Sequence, residues 1–237
     1  MNKLGTFSLI DGLTAPEIIS DIFDFIILDS EHGLENQLEQ KARFLACSNA
    51  SEVFVRVPTI SQIEIQRYFE IGVRNIMVPQ VQTIEDVKSI IDFSFFPPKG
   101  IRGVSPFTRQ FNYNQEDLEL KKRQINEEIK ICLLVEGKTG ISNLNEILSN
   151  FSKDIYMIYF GLYDFANSMG LDADLENDVI VESICEIVSL CHTHDLFVGT
   201  IATSKSNIRK LCKMGIDYIV YKNDTEILRD GLKDALS

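Results

Sequence analysis

The sequence predicts an α/β protein, a closed (β/α)8 TIM barrel, and three observations predict it. Eight short runs rich in β-branched and aromatic residues recur along the 237 residues, each too short for a helix and bounded by Gly, Pro, Asp or Asn. Segments with helical periodicity lie between them, and alternation of strand and helix builds parallel sheets. The runs are almost continuously apolar (FIIL, IMV, CLLV, YMIYF) and no tight hairpin joins any two, as expected for strands buried on both faces.

In chain order the strands are expected at 6–10, 25–29, 53–57, 75–80, 131–136, 155–161, 196–202 and 218–223. Helices are expected at 16–23, 62–71, 84–93, 141–148, 178–192 and 204–214, with Gly72 and Gly215 as C-terminal stops. About fifty residues separate the fourth and fifth strands; they are read as a structured loop over the barrel mouth followed by a helix across 116–128. The whole chain, 1–237, is read as one domain of about 30 residues per βα unit. An open doubly wound sheet is the competing architecture, but no GxGxxG follows the first strand and no GxxxxGK[ST] occurs.

Composition narrows the function classes. With 35 acidic and 23 basic side chains the formal net charge is −12, which repels phosphate backbones and anionic lipid; no nucleic-acid or membrane partner is expected. Hydrophobic residues make up 45%, enough for a sizeable core, so disorder is excluded. Five cysteines without CxxC spacing read as reduced thiols, and the absence of a signal-like or spanning segment points to a cytoplasmic protein.

Barrel chemistry gathers at the carboxyl ends of strands. The second strand ends in Asp29-Ser30-Glu31-His32-Gly33, the third carries Arg56, the fifth ends in Glu136, and the sixth runs into Gly161-Leu162-Tyr163-Asp164. Glu136 and Asp164 come from consecutive strand ends, and two carboxylates without a basic partner repel unless a cation lies between them. That pattern suits a hard divalent ion; the alternative is a solvated strand end for Glu136 and a helix N-cap for Asp164. His32, following an apolar strand among acids, is a candidate general base. Arg56 interrupts an apolar strand, so its guanidinium needs an anion, either a substrate oxyanion or a carboxylate within the barrel. His192 and His194 read as surface or capping residues.

The stretches 25–32, 53–58, 72–81, 97–104, 143–148, 161–170 and 224–228 resemble, in order and across nearly the whole chain, the HpcH/HpaI family of class II pyruvate aldolases. The resemblance implies a (β/α)8 barrel that binds Mg²⁺ or Mn²⁺, or Co²⁺. It further implies a carbon–carbon lyase that makes or breaks a bond between pyruvate and an aldehyde through a metal-stabilised enolate. The product or substrate would be a 4-hydroxy-2-oxo acid or a 2-keto-3-deoxy sugar acid. By the same resemblance Glu136 and Asp164 are the metal carboxylates, and Arg56 contacts the ketoacid. His32 is the general base, Glu70 is its acidic partner, and the backbone around Gly161, Leu162, Tyr163 and Asp164 cradles the pyruvate carboxylate. A homo-oligomer is implied as well.

Three positions depart from the family pattern. Leu134 stands where a glutamine is usual, Tyr163 makes Gly-Leu-Tyr-Asp of the usual Gly-Pro-Ala-Asp, and Glu70 replaces an aspartate. They motivate an alternative, a citrate-synthase-like or citrate-lyase-like enolate reaction; a third reading is a catalytically inactive binding subunit. Specificity for the aldehyde is expected from Phe107, Arg109 and Tyr113 in the long connection.

Overall fold

A computed structural model describes residues 2–33, 36–47 and 52–236. The first half runs β1 (Lys3–Ser8), α1 (Thr14–Ile22), β2 (Phe25–Asp29), α2 (Gln37–Ala46), β3 (Glu52–Arg56), α3 (Gln62–Glu70), β4 (Asn75–Val78) and α4 (Ile84–Ser94). The second half runs α5 (Leu118–Glu128), β5 (Lys130–Val135), α6 (Lys138–Phe151), β6 (Met157–Phe160), α7 (Leu162–Met169), α8 (Asp178–Thr193), β7 (Phe197–Ala202), α9 (Lys205–Met214), β8 (Tyr218–Asn223) and α10 (Asp224–Asp234). The eight strands form a closed barrel in sequence order, each parallel to both neighbours, with β8 paired back onto β1. This is the predicted (β/α)8 architecture.

Burial explains the closure. All five residues of β2 are buried, as are five of six in β5 and all of β6, because one face of each strand meets the helices and the other fills the barrel. Each Ile, Leu or Phe so removed from water contributes roughly 1.5–3 kcal/mol. Helix α9 stops at Gly215, whose φ of 90° is left-handed and where an added Cβ would come within 3.0 Å of Val188.

Three helices were not foreseen: α2, α7 and α10. Helix α2 buries Gln40 and Arg43 where an apolar stripe would be expected, so its periodicity is hidden. It starts at Asn36, whose side chain accepts from the N–H groups of Leu38 and Glu39. Helix α7 begins immediately after Gly161, where the expected sixth strand ends; from the sequence, a helix there follows only from the alternative that makes Asp164 an N-cap.

The long connection between β4 and β5 does not cover the mouth. Helix α4 carries the chain from the carboxyl ends of the strands to their amino ends, so everything after Ser94 departs from the opposite end of the barrel. Arg74, just ahead of β4, donates from Nε to Glu128 (2.9 Å) and from Nη2 to the Gln110 carbonyl (3.5 Å), and Lys99 pairs with Asp154 ahead of β6 (2.7 Å). Phe107, Arg109 and Tyr113 therefore belong to the outer, amino-end side, and the expectation that they select the aldehyde at their own chain's mouth is corrected. The helix expected at 116–128 is present as α5.

The amino end is closed by aromatic rings and one buried carboxylate. Tyr218 stacks edge-on against Phe25, Phe54 and Phe197 at 5.2–6.1 Å. Glu52 accepts from Lys3 (2.5 Å), Tyr218 (2.7 Å) and Lys130, and Tyr156 and Tyr218 share a hydrogen bond of 2.6 Å. Burial alone would raise the Glu52 carboxyl, but its bonds from Lys130, Lys3 and Tyr218 hold it below the ordinary value. Among the described residues no helix is long and apolar enough to cross a membrane.

Removing Glu52 leaves two ammonium groups and a hydroxyl at the strand starts without their acceptor. Glu52→Ala is expected to cost about 2–3 kcal/mol, a fall of roughly 4–12 °C in the thermal midpoint. Circular dichroism melting checks this; an unchanged midpoint contradicts the role given to Glu52.

Candidate active site

At the carboxyl ends the first fixed group is Asp29, the last residue of β2 and fully buried. Its register partner on β3 is Arg56, which donates from Nε to Oδ1 (2.8 Å) and from Nη2 to Oδ2 (2.5 Å). Nη1 of Arg56 lies 3.2 Å from Glu31 Oε2. Burial lowers a guanidinium's affinity for its proton, yet the bonds and charge of Asp29, with Glu31, raise that of Arg56 above its usual value. The sequence left two anions open for Arg56; the carboxylate within the barrel is present. Asp29 Oδ1 also accepts from the backbone N–H groups of Glu31 (3.0 Å) and His32 (3.3 Å), which turns the chain sharply after β2.

Beside this pair lies a depression of about 280 Å³ lined by Glu31, His32, Gln80, Gln82, Glu136 and Asp164. His32 is exposed, its Nε2 3.9 Å from Glu31 Oε2. Glu136 follows β5 and accepts from the backbone N–H of Gln80 (2.9 Å). Its carboxyl is pushed up to about 7, first by burial and then by the charge of Asp164; the Gln80 N–H and Arg56 oppose this only in part. Leu134, 2% exposed, supplies part of the apolar floor. Gly161 leaves the space the Glu136 side chain occupies: a Cβ there would stand 2.5 Å from Glu136 Cβ, 3.1 Å from Oε2 and 3.2 Å from Leu134. Beneath, the Tyr159 hydroxyl is buried and has no hydrogen-bond partner among the described residues.

The barrel thus brings His32, Glu136 and Asp164 to one depression, with Arg56 alongside through Glu31. Asp164 is not the N-cap of α7; it lies in the first turn, after Gly161 and with its side chain exposed. Other expected residues fall elsewhere. Glu70 ends α3, accepts from Gln66 Nε2 (3.1 Å), and borders a separate depression with Lys41, Arg67 and Arg109, so this chain does not pair it with His32. The N–H of Gly161 is taken by the Val135 carbonyl (3.0 Å), and the Leu162 side chain is buried in the core. Of that segment, only the first-turn N–H groups of Leu162, Tyr163 and Asp164 lack intrahelical acceptors. Tyr163 is half-exposed, its hydroxyl raised by burial and by Glu226. His192 binds Asp217 (3.1 Å) at the surface end of α8, as its sequence position suggests.

Sequence reasoning passed over Asp29, Glu31, Gln80 and Gln82. The first two stand in the Asp-Ser-Glu-His string already singled out, so strand-end position was a usable signal. Gln80 and Gln82 carry none beyond following β4.

Comparisons with known proteins give the family and the fold. Residues 14–229 match the sequence model of the HpcH/HpaI aldolase/citrate lyase family. A 5-keto-4-deoxy-D-glucarate aldolase of Salmonella arizonae is 27% identical over 231 residues, 97% of this chain and 89% of the relative. Two crystal structures share the fold. An HpcH/HpaI aldolase/citrate lyase family protein of Burkholderia cenocepacia has a TM-score of 0.91 at 20% identity, covering 99% of this chain and 93% of that one. The citrate synthase SbnG has a TM-score of 0.86 at 22% identity, covering 99% and 91%.

Glu136 gives a test that needs no ligand. The folded chain keeps a proton on this carboxyl up to pH about 7, whereas an ordinary glutamate releases it near 4.5. Stability therefore falls as pH rises between those values, and the penalty is complete above about 7. Glu136→Gln is expected to raise the metal-free thermal midpoint at pH 8 by about 2–4 °C, corresponding to about 1 kcal/mol once solvent screening is allowed for. The gain should shrink as pH falls toward 4.5. A lower midpoint for the variant at pH 8 contradicts this.

Proposed function

Because this chain belongs to the HpcH/HpaI aldolase/citrate lyase family, we propose that it is a carbon–carbon lyase of the class II pyruvate aldolase type. The reaction is reversible cleavage of a 4-hydroxy-2-oxo acid into pyruvate and an aldehyde. The observation that carries this reading is the pair Glu136 and Asp164, two carboxylates in one depression with a general-base candidate, His32, at its edge.

The donor set fits a hard divalent cation. Glu136 is pushed up to about 7 by burial and by Asp164, which the Gln80 N–H and Arg56 offset only in part, and both carboxylates offer oxygen ligands. Among the described residues no group of three His, Cys, Asp or Glu side chains is arranged to hold a metal. Two carboxylates alone match the way Mg²⁺ or Mn²⁺ binds, through one or two carboxylates with retained water and substrate oxygens. Glu136 and Asp164 would hold the ion, which when bound supplies Lewis-acid stabilisation to the oxygens of the ketoacid.

The remaining chemistry belongs to the chain's own residues. In the cleavage direction His32 takes the proton of the C4 hydroxyl as the C3–C4 bond breaks, giving the aldehyde and the pyruvate enolate; a proton then returns to C3. Arg56, fixed by Asp29, holds a positive charge beside the developing oxyanion. The free N–H groups at the start of α7 are suited to the pyruvate carboxylate. Leu134 and the neighbouring β-strands exclude water from the floor, which strengthens each of these charges.

Exchange of the pyruvate methyl protons with D₂O, followed by NMR, tests the reading. Exchange is expected with Mg²⁺ or Mn²⁺ and not after chelation, and Glu136→Gln should abolish it. No exchange by the metal-replete protein would sink the proposal. His32→Ala should slow aldol cleavage by about 100-fold while Mn²⁺ affinity by calorimetry stays unchanged; equal loss of both contradicts the role of His32.

A further inference from the structure

Arg56 carries the positive charge of the reaction above, and what orients its guanidinium leads to an inference that rests on that aldolase reading. Asp29 engages Nε and Nη2, and Glu31 lies 3.2 Å from Nη1. All of these contacts run along the edges of the guanidinium. Hydrogen bonds to a carboxylate tolerate tilting, so edge contacts alone let the plane swing about its Asp29 side. The face is held by Phe7. The Arg56 Cζ lies over the Phe7 ring, 4.7 Å from its centroid. Phe7 is 7% exposed and the Arg56 side chain 11%, so the contact is largely dry, the condition under which a cation gains most from an aromatic face.

Phe7 is itself fixed. The buried Tyr159 packs against it edge-on, with ring centroids 5.9 Å apart and an interplanar angle of 82°. Arg56, Phe7 and Tyr159 thus join β3, β1 and β6 through the barrel interior, and all three contacts are made within one chain. The backbone beside Phe7 is irregular as well. Gly5 pairs with Val220 but Phe7 with Asn223, so two steps on β1 match three on β8. The extra residue makes a bulge, in which Lys222 has a φ of 56°, a left-handed conformation costly for a residue with a side chain. Bulges between parallel strands are rare, and at barrel rims they re-aim side chains. Here the Lys222 ammonium pairs with Asp230 and with Glu226 (3.3 Å) on α10, while Phe7 meets Arg56 from inside the barrel.

We propose that Phe7 is a positioning residue for the reaction: its ring face holds the Arg56 guanidinium, by cation–π attraction as well as by bulk, at the angle from which Arg56 stabilises the enolate oxygen.

Fluorination separates attraction from bulk, because fluorine drains electron density from the ring face and scarcely changes the ring's size. Phe7 is replaced, by nonsense suppression, with 4-fluoro-, 3,5-difluoro- and 3,4,5-trifluorophenylalanine, and kcat and KM are measured for Mn²⁺-dependent exchange of the pyruvate methyl protons. At each added fluorine kcat is expected to fall, reaching about a fivefold loss for the trifluoro ring, the scale of a partly desolvated cation–π contact. KM for pyruvate should change less than kcat, as for an interaction made with developing charge, and Mn²⁺ affinity should not change. Phe7→Leu, which removes the face altogether, should lose at least as much kcat as the trifluoro ring. A kcat that stays flat across the fluorine series overturns the proposal whatever Phe7→Leu does, since a ring that acts only by packing is indifferent to fluorine. The 4-fluoro ring is the smallest change and decides the matter even where heavier fluorination disturbs folding, which circular dichroism reports. The unmodified protein separates the two failures. Exchange that is indifferent to fluorination sinks only the role of Phe7; no exchange by the unmodified protein sinks the aldolase reading, and the role of Phe7 with it.

Discussion

The mouth of this barrel is organised by one buried carboxylate. Asp29 has no exposure to solvent, and its two oxygens are occupied by Arg56 and by the backbone N–H groups of Glu31 and His32. A charge so placed is tolerated only when fully paired, because desolvation costs several kcal/mol per ion. Pairing joins β2 to β3 at a fixed register and sets the direction in which the chain leaves β2. Glu31 and His32 take their positions from that turn. Arg56 takes its orientation from the other side of the same carboxylate, so the cation and the base candidate share one anchor.

Across the mouth the logic is reversed. Among the described residues Glu136 and Asp164 form no ion pair, and the Glu136 carboxyl, with the Gln80 N–H as its donor, retains its proton toward neutrality. One side of the site is satisfied within the chain and rigid; the other is left unsatisfied, which is the condition under which an external cation gains most from binding. Gly161 makes this possible sterically, since any side chain there would occupy the volume of the Glu136 stem.

The strands were legible because burial on both faces demands continuous apolar runs, and those runs appear in the sequence as such. Their ends drifted, most at β1, which lies at Lys3–Ser8 and not 6–10, because hydrogen-bonded register rather than hydrophobicity sets where pairing stops. Helix α2 was illegible because it buries polar residues, Gln40 and Arg43. Within the site, polar residues at or just beyond the ends of apolar runs were readable: His32 and Glu136 follow such runs, and Arg56 interrupts one. Gln80 was not, since its contacts with Glu31 after β2 and Glu136 after β5 exist only once the barrel closes. Glu70 shows the converse limit. The resemblance names it the acidic partner of His32, yet the end of α3 lies away from His32 within a single chain.

The plug of Tyr218, Phe25, Phe54 and Glu52 at the amino end gives the barrel a single doorway. The aromatic and carboxylate groups that fill the amino end leave no passage along the barrel axis. Whatever meets the Arg56 side of the mouth therefore comes and goes by the carboxyl end, past His32 and Asp164.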